Sequence, residues 1–246
     1  MIAIKIEGLS KKYRNGSSGE RRVLDNLNLT VNQGEIFGFL GPNGAGKTTT
    51  LKLLTGLISP TSGNIRIFDR KTADPSIQKL IGFLPENPQF HRYLTAEEFL
   101  ICCGELFSLN SNELKKKINY LLKLVDLENE RHLLLNKFSK GMIQRIGIAQ
   151  LLLNDPLLLI LDEPMAGLDP MGRKMVSNIL LKMKREGKTV FFSSHILNDA
   201  ENLCDRIAIL VEGKLTTVDS VTHLLSSFSG ESPSSLENIF IERASV

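Results

Sequence analysis

Glu35-Ile36-Phe37-Gly38-Phe39-Leu40-Gly41-Pro42-Asn43-Gly44-Ala45-Gly46-Lys47-Thr48-Thr49 is the stretch from which the rest of the chain can be read. Residues 35–40 form a short, almost wholly apolar run that predicts a buried strand, and residues 47–56 carry apolar side chains at helical spacing. Between them the glycines leave a loop that can turn tightly. Gly41, Gly46, Lys47 and Thr48 stand at the spacing of a Walker A loop, in which successive backbone N–H groups converge on phosphate oxygens. The helix that follows adds its positive N-terminal end. In that arrangement Lys47 reaches the β and γ phosphates of a nucleotide, and the Thr48 hydroxyl is a ligand for Mg²⁺, a hard cation that takes oxygen donors. Nucleotide contacts are expected from Gly41, Pro42, Asn43, Gly44, Ala45, Gly46, Lys47, Thr48 and Thr49. The loop alone does not choose among kinases, GTPases and ATPases.

Upstream of it, residues 2–9 and 23–29 alternate apolar and polar side chains, with Lys5 and Glu7 outward. They flank the turn-forming Arg14-Asn15-Gly16-Ser17-Ser18-Gly19, which predicts a pair of antiparallel strands. Downstream, residues 63–68 and 80–84 read as further strands. From 95 to 154 glycines thin out and apolar residues fall at helical spacing, so this part is expected to be a lobe of three or four helices. Thr95 and Glu98 make a capping box that fixes one helix start. After Pro156 strands and helices alternate again: a fully apolar strand at 157–161, a helix at 171–185 with Met175, Val176, Ile179, Leu180 and Met183 on one face, and a strand at 189–193. A helix at 199–203 and strands at 206–211 and 215–218 follow. The serine-rich residues 226–235 read as a flexible linker to a short end piece, 236–242.

The expected class is therefore α/β, with an antiparallel β subdomain and an inserted α-helical lobe. One domain is expected over 1–226, its core at 1–88 and 157–226 and its lobe at 89–156, with a tail at 227–246.

The run Leu157-Leu158-Leu159-Ile160-Leu161-Asp162-Glu163 ends a buried strand on two carboxylates, where ligands of a doubly wound sheet collect. A carboxylate in such a place is costly unless it meets a cation or a donor. Mg²⁺ provides the partner for Asp162, directly or through water. Glu163 can point toward the γ phosphate and orient or deprotonate an attacking water, a role worth about 10² to 10⁴ in rate. His195, at the end of the strand over 189–194, would reach the same phosphate from a neighbouring strand, although a single histidine at a strand end is commonly a bystander.

Composition narrows the partners. With 30 basic and 27 acidic side chains spread along 246 residues, the chain has no basic arm or stripe, so nucleic acid is not expected to bind it. No run approaches the roughly 18 apolar residues of a membrane span, and residues 1–9 read as a strand rather than a signal peptide, so the chain is expected to stay in the cytoplasm. Cys102, Cys103 and Cys204 make no metal-ligand spacing and are expected to be reduced and mostly buried.

Taken in order, Walker A at 41–48, a helical lobe, Phe138-Ser139-Lys140-Gly141-Met142, the acidic strand, Ala166-Gly167-Leu168-Asp169 and His195 resemble the ABC ATPase family over residues 2–225. The resemblance implies a P-loop NTPase core of the RecA-like type and ATP, with Mg²⁺, as the ligand. The family's signature is Leu-Ser-Gly-Gly-Gln; here Ser139 and Gly141 are kept, while Lys140 and Met142 depart from it. The resemblance implies that Ser139 and Gly141 contact ATP held by a second ATP-binding subunit, in a head-to-tail homodimer or heterodimer with Asp169 at the seam. It matches Tyr13 to an aromatic platform for adenine. Glu86, in Gly82-Phe83-Leu84-Pro85-Glu86, stands where the family has a glutamine that touches Mg²⁺, and a carboxylate oxygen can serve the same ion. Residues 87–93, with Phe90 and Tyr93, fall where a family member receives an integral-membrane permease subunit. Glu86, the altered signature and Leu236-Glu237-Asn238-Ile239-Phe240 resemble the exporter branch. The expected function is thus ATP hydrolysis powering transport by a separate transmembrane partner, with export as the expected direction, at the cytoplasmic face of the membrane. A soluble ABC ATPase of translation or DNA repair is the alternative; such relatives carry two nucleotide domains or a long coiled coil, and neither is visible here.

Overall fold

A computed structural model describes residues 1–14, 19–107, 109–227 and 235–237. The antiparallel opening is longer than its alternation suggests. β1 (Ile2–Arg14) and β2 (Glu20–Asn32) pair along their length through several register shifts, and β1 also pairs with β4 (Ser62–Ile67). With β5 (Arg70–Lys71) they make a four-stranded sheet in the order β2-β1-β4-β5.

The second sheet positions the site. It contains β3 (Ile36–Leu40), β6 (Ile81–Leu84), β7 (Leu158–Asp162), β8 (Thr189–Ser194), β9 (Arg206–Val211) and β10 (Lys214–Ser220), in the order β10-β9-β3-β8-β7-β6. All neighbours are parallel except β10, which returns antiparallel on β9. Every residue of β3, β7 and β8 is buried, as expected of strands covered on both faces. Side chains alternate between two cores. Ile36, Leu159, Leu161, Val190 and Phe192 face the core shared with the helices, whereas Phe37, Phe39, Leu158, Ile160 and Phe191 face the core shared with the antiparallel sheet and α1 (Lys47–Leu54).

Among the described residues the lobe has three α-helices, α2 (Ala96–Leu106), α3 (Ser111–Leu124) and α4 (Lys140–Leu152). The Thr95–Glu98 capping box is present at the start of α2. α5 (Pro170–Arg185) buries Val176, Ile179, Leu180 and Met183 as its periodicity demands. α6 (Leu197–Leu203) begins two residues earlier than its sequence pattern indicates, and α7 (Val221–Ser227) takes Ser226 and Ser227, which the serine content had placed in a linker. The rest of that linker, except Ser235, and the end piece beyond Glu237 lie outside the described residues. Among the described residues no helix is long and apolar enough to cross a membrane. All three cysteines are free; Cys204 is buried and Cys103 half-buried, but Cys102 is exposed because it falls on the outer face of α2, so the expectation of mostly buried thiols fails there. Burial pushes the Cys103 thiol up to about 11, with Cys102 adding to the effect.

Candidate nucleotide site

The parallel register gathers motifs that are far apart in sequence. Leu40 pairs with Ser194, Ser193 with Asp162, and Leu161 with Leu84. The residues following these strand ends, Gly41, His195, Glu163 and Glu86, consequently emerge along one edge of the sheet. Of these, Glu86 and Glu163 line a cavity of about 350 Å³ together with Pro42, Asn43, Gly44, Gly46, Lys47, Thr48 and Thr49, with Val23 at its side, while His195 reaches it through its contact with Glu163. Gly41 and Ala45 are turned away from this cavity. A Cβ on Gly41 would lie 2.3 Å from the Leu210 carbonyl oxygen, and Ala45 is buried with its carbonyl accepting from the Gly213 N–H. Gly46 holds a φ of 112° and starts α1 with no side-chain cap, which leaves the first N–H groups of that helix available to an anion.

Glu163 is buried and sits between two cations or potential cations. Its Oε1 is 3.4 Å from Lys47 Nζ, and its Oε2 accepts from the His195 N–H at 3.3 Å and lies 2.9 Å from His195 Nδ1. Lys47 also donates to the Gly41 and Pro42 carbonyls at 2.7 and 3.3 Å. Among the described residues Oε1 of Glu163 has no hydrogen-bond partner, and the residue holds a φ of 49°, a left-handed conformation that costs a side-chain-bearing residue about 1–3 kcal/mol. Such strain persists where the surroundings over-determine it. Here the surroundings include a residue that sequence reading missed. Ser193 Oγ accepts from the Glu163 N–H at 3.0 Å and donates to Asp162 Oδ1 at 2.5 Å, fixing both acids from the adjacent strand. The available signal was the pair of serines ending an otherwise apolar buried strand, since buried hydroxyls need partners.

The second group of expected residues lies elsewhere. Ser139 caps α4, accepting from the Met142 N–H at 3.2 Å, and Asp169 caps α5, accepting from the Gly172 N–H at 2.8 Å. With Lys140, Gly141, Gly167 and Leu168 they line a separate cleft of about 990 Å³ between the lobe and α5. Tyr13 is 39% exposed at the end of β1, with Lys11 Nζ 5.0 Å from its ring centre, and is not among the residues lining the phosphate-loop cavity. Phe90 is half-buried and packs against the lobe core with its ring tilted 4.5 Å from that of Phe99, so of the two aromatics in that loop Tyr93, 87% exposed, is the one fully presented at the surface.

The sequence model of the ABC transporter family matches residues 24–166, more than half of the chain. The chain belongs to the ABC transporter family. Among its relatives, an ABC transporter ATP-binding protein of Nostoc sp. is 47% identical over 89% of this chain and 67% of its own length. The bacitracin transport ATP-binding protein BcrA of Bacillus licheniformis is 44% identical over 90% of this chain and 71% of its own. The chain spans about two thirds of the length of the curated relatives it matches. Among solved structures, the dimeric post-hydrolysis state of the ATP-binding cassette MJ0796, bound to ADP and Pi, superposes with a TM-score of 0.82 at 29% identity, covering 89% of this chain and 98% of that one. As an ABC cassette the chain is a P-loop ATPase, and ATP is its nucleotide.

Proposed function

We propose that the chain is the ATP-hydrolysing subunit of an exporter. It works as a dimer with a second copy or a second ATP-binding subunit, on the cytoplasmic face of the membrane, and drives a separate integral-membrane permease. Residues 1–88 and 157–226 are the catalytic core, 89–156 the lobe and 227–246 the tail. The observation that carries this reading is the Glu163 carboxylate, held between Lys47 and His195 at the rim of the phosphate-loop cavity. Glu163 orients and deprotonates the attacking water, while Lys47 and His195 hold the γ phosphate as charge redistributes. Lys47 leaves Glu163 to meet the phosphates, which releases the carboxylate for water. Pro42, Asn43, Gly44, Gly46, Thr48 and Thr49 shape the rest of the cradle, Gly41 and Ala45 support it from behind where they pack against Leu210 and Gly213, and Tyr13 faces the adenine. Ser139 and Gly141 complete the site of the other subunit; that they line a separate cleft and not the phosphate-loop cavity of their own chain supports that division.

Thr48, Asp162 and Glu86 are the residues that would hold Mg²⁺, which when bound neutralises charge on the phosphates. Among the described residues no cluster of three or more His, Cys, Asp or Glu forms a metal cage. A hydroxyl and one or two carboxylates, completed by phosphate and water, nevertheless suit this cation. Export is supported by the likeness to a fluoroquinolones export ATP-binding protein of Mycobacterium tuberculosis, 38% identical over 90% of this chain and 72% of its own length. Glu163→Gln should retain ATP, accumulate a closed dimer and lose at least about 10²-fold in turnover; parent-like turnover would remove Glu163 as the base. Gentle solubilisation of native membranes should bring a polytopic membrane subunit down with the chain, and recovery of ribosomes or DNA instead would redirect the assignment.

A further inference from the structure

We propose that Arg173 and Asp199 form a brace that positions Glu163 and His195 for hydrolysis by tying the start of α5 to the first turn of α6. The proposal rests on the roles given above to Glu163 and His195. α6 begins at Leu197, just after His195, and its N-cap residue Ile196 supplies no capping side chain. Asp199 is the acid of its first turn, where a negative charge complements the helix dipole. The Asp199 side chain is only 15% exposed, its Oδ2 has no hydrogen bond among the described residues, and Arg173 Nη1 stands 3.7 Å away. The same guanidinium turns its Nε toward the Leu168 carbonyl, donating at 3.4 Å.

These contacts close a ring. Glu163 O accepts from the Ala166 N–H at 3.0 Å, the loop runs on to Leu168, Arg173 joins Leu168 to Asp199, α6 joins Asp199 to His195, and His195 returns to Glu163 Oε2. Arg173 is the member that a lysine cannot replace, because a planar guanidinium addresses the carbonyl and the carboxylate together. Neither Arg173 nor Asp199 lines the phosphate-loop cavity, so both are positioning residues. Burial pushes the Asp199 carboxyl above its ordinary range; Arg173 pulls it down, the Glu163 charge pushes it up and His195 pulls it down. Asp199 therefore feels both members of the hydrolytic pair.

That direction separates a brace from an ordinary stabilising ion pair. A carboxyl raised in the folded state adds stability below its unfolded value and loses it as pH rises through the folded value. At neutral pH, Asp199→Asn should accordingly leave Tm unchanged or raise it. Turnover in that variant should fall about tenfold with KM for ATP within about twofold, because misplacement of reacting groups acts on kcat. The imidazole NMR signals of His195 should shift, and Arg173→Lys should lose turnover in the same way. The double variant should lose no more than the larger single loss. The brace is overturned if Asp199→Asn and Arg173→Lys turn over like the parent, if their losses multiply, or if the losses track a falling Tm. Glu163→Gln, run alongside, distinguishes the two levels. Retained turnover there sinks the reading of the site and the brace with it, whereas its loss beside parent-like Asp199→Asn sinks the brace alone.

Discussion

The phosphate-loop corner and the Ser139 corner are both loops that lead into helices, yet they are finished in opposite ways. α2, α3, α4 and α5 each have one first-turn N–H accepted by a capping side chain, from Thr95, Asn110, Ser139 and Asp169. α1 and α6, which start beside Lys47 and His195, have no side-chain cap. Lys47, Asp162 and Glu163 are buried and bonded to one another's surroundings, whereas Ser139 and Lys140 are exposed, Ser139 bonding to the start of its own helix and Lys140 lying along Gly167. One corner is thus assembled by the fold with donors and a carboxylate oxygen left unsatisfied, and the other is locally complete and presents itself outward. A ligand completes the first; a partner surface has to come to the second.

The largest contrast comes from adding one methyl group to each corner. At Gly46 a Cβ would fall 2.6 Å from Leu24 Cδ2 and 3.1 Å from the Val23 carbonyl, at a φ of 112°. Gly46→Ala should weaken ATP binding by at least about 100-fold, roughly 3 kcal/mol. At Gly141 a Cβ would lie 3.4 Å from Leu168 Cδ2, an ordinary contact. Gly141→Ala should bind ATP as the parent does when nucleotide affinity is titrated on dilute, monomeric protein. Equal losses in the two variants would erase the distinction between the corners.

Much of the first corner was legible because it is written contiguously: a strand, a glycine-rich loop and a helix occupy residues 36–54, and Asp162 and Glu163 end an unbroken apolar run. Their meeting was less so. β8 lies between β3 and β7 in the sheet, so the residue that binds both acids is Ser193, on a strand whose sequence advertises only burial. The Arg173–Asp199 contact has the same origin, since it joins the starts of two helices through packing that no local pattern encodes. The reverse case is Phe90. Its loop position suggested a surface, but its half-buried ring, 4.5 Å from Phe99, packs against the lobe core. The start of α6 was placed late because Ile196 gives no capping signal.

Two serine-to-alanine changes sharpen the comparison at intermediate size. Ser193→Ala removes a donor from buried Asp162 and an acceptor from the Glu163 N–H, and should cost about 1–3 kcal/mol of stability together with turnover. Ser139→Ala removes only a cap, at about 1 kcal/mol, and should spare ATP binding by a single chain. Denaturant midpoints and nucleotide titrations on the same samples provide both quantities. A larger stability loss for Ser139→Ala would mean that its corner is not locally complete.

Glu86 tests the boundary between the corners, and its effect should be the smallest. It lines the phosphate-loop cavity and also a groove of about 350 Å³ shared with Arg92, Phe138, Lys140 and Gln144. It is exposed and, among the described residues, forms no ion pair within 4.0 Å. An exposed, unpaired charge contributes little to a neighbouring site, because solvent and salt screen it. Glu86→Gln keeps an oxygen donor for Mg²⁺ and removes the charge, so ATP affinity should change by no more than about twofold, and the difference should shrink further as salt is raised. A large loss of affinity that persists at high salt would place Glu86 inside the assembled corner, with its charge directly on the metal.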